Sequence, residues 1–282
     1  MRDDSERSPA IQAAPALWGA ISGLEGKGQF LSEPKAFIIH LERAQSRWAA
    51  VKTLRETLPV ESEILPAVDG QSLSPEAVEA AYTRARFSPL YPFALGLPEI
   101  GAFLSHRQAW RRIVAENLDF AFVFEDDAAI NPVLFASLVE FAAAERLRWD
   151  YALIPAAGRE PLGAVIARDG VHSLLRPRAP PLRAIGQLVS RTAAERLLAI
   201  TAPFDRPVDT FLQMAWITGI TVLAVTPTPI RDVSRDTGGT TVQRQRIGLL
   251  PRVYHEAMRP IYRARIRTRY RRYLSSMDNG KA

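Results

Sequence analysis

The 282-residue chain contains no cysteine. Disulfides, thiolate metal sites and cysteine nucleophiles are therefore excluded, and a reducing compartment suits the composition. No apolar run approaches the ~20 residues needed to cross a bilayer. The stretch Ile11–Leu24 is mildly apolar, but it follows Asp3, Asp4 and Glu6 and is interrupted by Pro15 and Gly19. A secretory signal has a basic lead-in and a cleaner apolar segment, so residues 1–33 read as a mobile leader. Excess charge is missing from most of the chain. Residues 251–282 hold nine Lys and Arg against Glu256 and Asp278, whereas the other 250 residues balance 27 basic against 28 acidic side chains. A near-neutral body offers nucleic acid no broad basic face, and no nucleic-acid partner is expected.

What is present begins with a hydrophobic share of 47%, enough for one large domain or two small ones. The most informative stretch is Phe120-Ala-Phe-Val-Phe-Glu-Asp-Asp127. Its five apolar residues predict a strand buried on both faces, and such sheets hold ligands just beyond the carboxyl ends of their strands. A strand projects residues i and i+2 to the same side, which lets Glu125 and Asp127 share one hard cation. The alternative is a plain acidic loop after a core strand.

Further strands are predicted at Lys35–Leu41, Glu61–Val68, Asp150–Pro155, Ile185–Ser190 and Ile220–Val225. Between them, Trp48, Val51, Leu54 and Leu58 mark one face of a helix. Ser74-Pro75 and Asn131-Pro132 open two more. Phe103, His106, Trp110 and Ile113 form the stripe of a helix over about Glu99–Asn117, and Trp110 and the aromatics of Phe120–Phe124 are expected in the core. Thr192-Ala-Ala-Glu195 has the form of a capping box, and Val208–Gly219 reads as one helix. Residues 87–98, with three prolines, are a loop, and 156–183 are irregular with short β-like pieces. Strands alternating with helices argue an α/β fold with a mostly parallel sheet.

Position after a strand also nominates binding residues. Arg43 and Arg47 follow the first strand and can pair with phosphate, although surface helix arginines have the same appearance. Asp69 follows the second strand and suits a base or ribose contact, or a simple turn. Arg231, Asp232, Ser234 and Arg235 follow the last strand and can close over an anionic group or complete a metal shell.

The blocks Phe37–Arg43, Ala67–Gly70, Glu99–Trp110, Val123–Asp127 and Arg206–Leu212 resemble, in that order, glycosyltransferase family 25, over roughly residues 35–235. The chain departs from the family pattern with His40 in place of Asn, Ala102 in place of Cys and Glu42-Arg43 in place of Asp-Arg. The resemblance implies a GT-A-like fold, a UDP-sugar donor (most simply UDP-galactose) and a divalent cation, manganese or magnesium. It implies a lipid-linked lipopolysaccharide or lipooligosaccharide acceptor at the cytoplasmic face of a bacterial inner membrane. On the same grounds Asp127 is the direct metal ligand, with Glu125 or Asp126 contacting ribose or a metal-bound water. Asp209 is the base of an inverting transfer, although a carboxylate in a first helical turn is also stabilised by the helix dipole. Ser105 and His106 belong to the most family-like helix, where a lone histidine is equally at home as a hydrogen-bonded core residue. A catalytically silent relative and a nucleotidyltransferase are the competing functions.

The expected divisions are the leader 1–33, a catalytic domain over 34–248 and a basic amphipathic helix over 249–282. In that helix Tyr254, Met258, Ile261, Tyr262, Ile266, Tyr270, Tyr273 and Leu274 interleave with arginines. An apolar strip beside a dense cationic face suits an anionic membrane surface, and a helix packed on the body is the alternative.

Overall fold

A computed structural model describes residues 32–179, 181–235 and 249–279. The leader up to residue 31 lies outside them, as do Lys281 and the side chains of Arg252 and Tyr254. Eight strands form one sheet: β1 (Lys35–His40), β2 (Glu61–Pro66), β3 (Phe120–Glu125), β5 (Tyr151–Leu153), β6 (Gly163–Arg168), β7 (Ser173–Pro177), β8 (Gly186–Ser190) and β9 (Val222–Thr226). Their spatial order is β2-β1-β3-β8-β5-β9-β7-β6. The fold is α/β, as the alternating pattern predicts, but the sheet is mixed rather than mostly parallel. β2, β1 and β3 run parallel, and so do β5 and β9, whereas β8 lies antiparallel between β3 and β5. The stretch expected to be irregular supplies an antiparallel hairpin, β6–β7, added to the β9 edge. A hairpin needs no crossover helix, so periodicity over the chain exaggerates the parallel share.

A second, two-stranded sheet pairs β4 (Ala128–Ile130) with β10 (Ile230–Asp232). Neither strand is visible in the sequence pattern, each being three residues long. They matter because they tie the residues after Asp127 to the segment carrying Asp232.

The helices are α1 (Trp48–Thr57), α2 (Pro75–Ala81), α3 (Leu97–Ala115), α4 (Pro132–Ala144), α5 (Arg191–Ile200), α6 (Val208–Leu212), α7 (Ala215–Thr218) and α8 (Leu249–Asp278). Ser74 and Asn131 cap α2 and α4 by accepting from the amides of Ala77 and Leu134. Three expectations are corrected. The cap of α5 is Ser190, which accepts from Ala193 N at 3.0 Å, and not Thr192. The single helix expected over 208–219 is broken at Gln213-Met214 into α6 and α7, the second closed by Gly219 at φ 63°. Trp48 is 43% exposed and sits beside the His40 ring, while Val51, Leu54 and Leu58 carry the buried face of α1.

The core lies in two layers, one on each side of the sheet. On β3, Phe120, Phe122 and Phe124 point into one layer against Phe135 of α4, whereas Ala121 and Val123 face the other, against α3. Both sets are fully buried, which is why this strand reads as a continuous apolar run. α3 lies hard against the turn after β2: a Cβ on Gly101 would stand 2.5 Å from the Val68 carbonyl and 2.6 Å from Gly70 N. This close approach requires glycine and fixes Asp69 relative to α3.

Helix α8 completes the layer that holds α3. Tyr262 and Ile266 are buried there and Tyr270 is buried as well, so much of its apolar strip is covered by the body of the protein itself. The Tyr262 hydroxyl accepts from Arg206 Nη1 at 2.6 Å. Arg206 in turn forms a two-point pair with Asp205 (2.7 and 2.9 Å) and donates to the Phe87 carbonyl, and neither charged residue has any exposed surface. One buried cluster thus joins the loop at 86–87, the start of α6 and the face of α8. No helix among the described residues is long and apolar enough to cross a membrane.

Candidate active site

The end of β3 delivers its three acids to different surroundings. Asp126 is buried and charge-paired: His40 Nδ1 lies 3.0 Å from Oδ2, and Arg47 Nη1 donates to Oδ1. Arg47 is 4% exposed, not the surface helix arginine its position suggests, and its Nη1 also stands 4.0 Å from Asp127 Oδ2. Asp127 is 5% exposed, and among the described residues its Oδ1 has no hydrogen-bond partner. Burial, and next the neighbouring Glu125 carboxylate, push the Asp127 carboxyl up to about 7, against the pull of Arg47. Its cationic neighbour, Arg47, is bound more closely to Asp126, and a divalent cation shared with Glu125 would add the missing positive charge.

Glu125 is more exposed, with Oε1 3.4 Å from His106 Nε2. Behind it runs a buried chain. Gln187 Nε2 donates to the Ala184 carbonyl and lies 3.3 Å from His106 Nδ1, while its Oε1 accepts from the Tyr151 hydroxyl. In this arrangement Nδ1 accepts, leaving Nε2 as the proton-bearing nitrogen that faces Glu125. His106 is therefore both a core residue of the α3 stripe and a contact of the acidic site.

Glu125 and Asp126 border a cleft of about 210 Å³ that is also lined by Arg43, Arg47, Asp69, Ser105 and His106, whereas Asp127 is buried and is not among the lining residues. The cleft opens beyond the carboxyl ends of β1, β2 and β3, the place a parallel sheet reserves for ligands. At its rim Arg43 Nε donates to Asp69 Oδ2 at 2.7 Å, and this bond holds the Asp69 carboxyl below its usual range. Asp69 also accepts from Gln71 N, so the turn role and a place in the cleft coexist. Ser105 fastens the wall, accepting from Val68 N and donating to the Gly101 carbonyl, both at 2.8 Å.

Asp209 does not line this cleft. It lies on α6, accepting from Arg183 N at 3.2 Å and from Thr210 N at 2.6 Å. Arg183 bridges the two regions, because its Nη1 also donates to Asp232 Oδ2 at 2.6 Å. Asp232 stands opposite Ala128 in the β10–β4 pairing, close enough for its charge to act on Asp127. Burial opposes ionisation of Asp232, but Ser234 and Arg183 outweigh it and hold the carboxyl below its ordinary value. Arg231 and Arg235 are exposed on the same segment. Arg183, at φ 74°, is a site residue that sequence reading missed, since nothing in the 156–183 stretch marks it. His40 and Gln187 were missed too, though a histidine ending a core strand was a usable signal.

Among the described residues, no three His, Cys, Asp or Glu side chains converge tightly enough to cage a metal by themselves. A pair of carboxylates is nonetheless the protein share common for a cation that takes its remaining ligands from water and a bound phosphate group.

Residues 33–154 match the family model described as glycosyltransferase family 25 (LPS biosynthesis protein). A glycosyltransferase 25 family member of Drosophila melanogaster is 32% identical over 215 residues, covering 72% of this chain and 34% of the relative. Procollagen galactosyltransferase 1 of Danio rerio is 29% identical over 195 residues, covering 64% of this chain and 31% of that protein. A probable inactive glycosyltransferase 25 family member 3 of Bos taurus is 25% identical over 213 residues, with 72% and 35% covered. The chain thus spans about a third of the length of these curated relatives. Together, the family model and these relatives assign the chain to glycosyltransferase family 25.

Proposed function

We propose that the protein is a divalent-cation-dependent, inverting glycosyltransferase that moves galactose from UDP-galactose to a lipopolysaccharide or lipooligosaccharide acceptor. The observation that carries this reading is Asp127, a desolvated carboxylate with an unpartnered oxygen that feels the charge of Glu125, which itself lines the cleft. The choice of galactose draws on the procollagen galactosyltransferase relative, and the acceptor class on the family description.

Glu125 and Asp127 would hold manganese or magnesium, and the bound cation would supply Lewis-acid neutralisation of the departing diphosphate. The chain's own groups do the rest. Arg43 and Asp69 border the nucleotide end of the cleft, and the Arg47–Asp126 pair keeps one acid neutralised so that Asp127 alone stays poorly paired. Asp209 is the candidate base. It takes the acceptor hydroxyl proton as that oxygen bonds to the anomeric carbon and the bond to the diphosphate breaks. The amides of Arg183 and Thr210 donate to its carboxylate and fix its orientation.

UDP release from UDP-galactose, followed with and without EDTA, tests this function. Release should need the cation. Because binding it expels a proton from Asp127, the metal concentration for half-maximal release should rise about fivefold from pH 7 to pH 6. Release indifferent to EDTA would overturn the mechanism, and pyrophosphate release from a nucleoside triphosphate would point to nucleotidyl transfer. The inactive relatives give a second reading some weight, a silent sugar-nucleotide binder, which predicts donor binding with no release at any metal concentration.

The acceptor class also makes a peripheral place on the cytoplasmic face of the membrane part of the proposal. Arg265, Arg267, Arg271 and Arg272 are exposed on α8, while Tyr262, Ile266 and Tyr270 are buried. Contact with anionic lipid would then be electrostatic, at roughly 1 kcal/mol for each cation near the surface. Since deleting the helix would unmake the core, the informative variant is Arg265→Glu with Arg271→Glu and Arg272→Glu. It should stop co-sedimentation with phosphatidylglycerol vesicles at low salt. Undiminished sedimentation would remove the membrane proposal.

A further inference from the structure

A second, smaller cavity lies beside Asp209 and has no part in the donor cleft. It encloses about 90 Å³ between the 87–98 loop, α6 and α8, room for one sugar ring rather than an extended chain. Its apolar wall is Tyr91 and Phe93, whose rings meet edge to face at 5.4 Å, with Tyr262 packed against Tyr91 at 5.3 Å. Thr210 lines it from α6, and the Thr210 hydroxyl is 3.2 Å from Asp209 Oδ1. The Asp209 charge is felt at both Tyr91 and Tyr262. Leu182 and Gln213 also line it, and one side is cationic: Arg259 and Arg263, one helical turn apart on α8, with Arg259 Cζ 6.0 Å from the Phe93 ring centre.

Aromatic faces suit the C–H face of a sugar ring, whereas planar guanidinium groups suit phosphate or carboxylate oxygens. A neutral sugar would use the first and leave the second idle. We infer that this cavity is an acceptor subsite that selects an anionic saccharide, one bearing a phosphate or carboxylate, by setting its ring on Tyr91 and Phe93 and its charge on Arg259 and Arg263. The inference rests on the transferase reading for the word acceptor, but the cavity's preference for charged sugar is a property of its own. It also gives α8 a second function, since Arg259 and Arg263 line this cavity and are distinct from the arginines assigned to lipid.

The test compares glucose 6-phosphate, glucose and inorganic phosphate as probes of the full chain, with affinities read by calorimetry or saturation-transfer NMR. Glucose 6-phosphate should bind at least tenfold more tightly than glucose. Arg259→Ala with Arg263→Ala should erase that difference, and the paired lysine variant should restore part of it. Phe93→Leu should weaken both sugars and leave inorganic phosphate unchanged. Because both arginines are exposed, the paired variants should keep the parent circular dichroism and unfolding midpoint. Equal affinity for the two sugars overturns the inference, as does a preference that survives loss of both arginines. Inorganic phosphate binding as tightly as glucose 6-phosphate, with Phe93→Leu silent, reduces the cavity to a simple anion site and also overturns it. UDP release measured on the same wild-type preparation separates the two claims. Release without a charge preference sinks only the anionic subsite, whereas a preference without release keeps the subsite and removes the transferase.

Discussion

Replacing Asp127 by asparagine should lower sugar transfer about a hundredfold or more and at the same time make the domain harder to unfold above pH 7. The first effect follows from losing a group whose charge matters most as the diphosphate departs. The second follows from the direction of its perturbation. In the fold the Asp127 carboxyl titrates at about 7, well above its ordinary 3.8, so between those values the native state binds the extra proton. Stability contributed by this group is therefore full below pH 4 and is lost as pH rises through 7. Asparagine is neutral throughout and escapes that loss. Urea midpoints at pH 5 and pH 8 without added metal, read beside a transfer assay, check both halves. A variant that transfers normally, or one that loses stability at pH 8 relative to the parent, would refute the account of Asp127 as a ligand held in an unfavourable state.

Arg206→Met should be the most damaging single change away from the cleft, costing about 3–5 kcal/mol. The residue is fully buried, and its loss strands the Asp205 carboxylate with only the amides of Arg86 and Phe87 and removes the donor to the Tyr262 hydroxyl. Burial opposes ionisation of Asp205, and Arg206 is the first of the groups that outweigh it and keep the carboxyl below its usual range. Denaturant unfolding of the variant measures the cost. A loss under about 1 kcal/mol would mean that the pair is dispensable, as surface pairs are. Arg206→Met together with Asp205→Leu should recover part of the stability, because a buried pair replaced whole leaves no lone charge behind.

What could be read from the sequence depended on how local each cause was. β3 was legible because burial on both faces leaves a mark in the chain itself, an apolar run ending on acids. Ser74 and Asn131 were legible because a cap lies within three residues of the amide it satisfies. The α6–α7 break was not, since the apolar pattern continues through Gln213-Met214 and gives no warning of it. β4 and β10 are too short for any period to show, yet their pairing carries Asp232 to Asp127. Arg47 looked like a surface cation because its counter-ion, Asp126, lies 79 residues away. The tail shows the same limit from the other side. Its amphipathic pattern stated that an apolar surface must be covered, while the choice between lipid and the protein's own core depends on Tyr91 and Arg206, far off in sequence.

The first strand and the last described helix, β1 and α8, share one layer of the core through Phe37 and Tyr262. A helix built in this way is a bracket rather than a leash. Any surface that grips its outer side grips the whole sheet with it and fixes the angle at which the mouth of the cleft faces that surface.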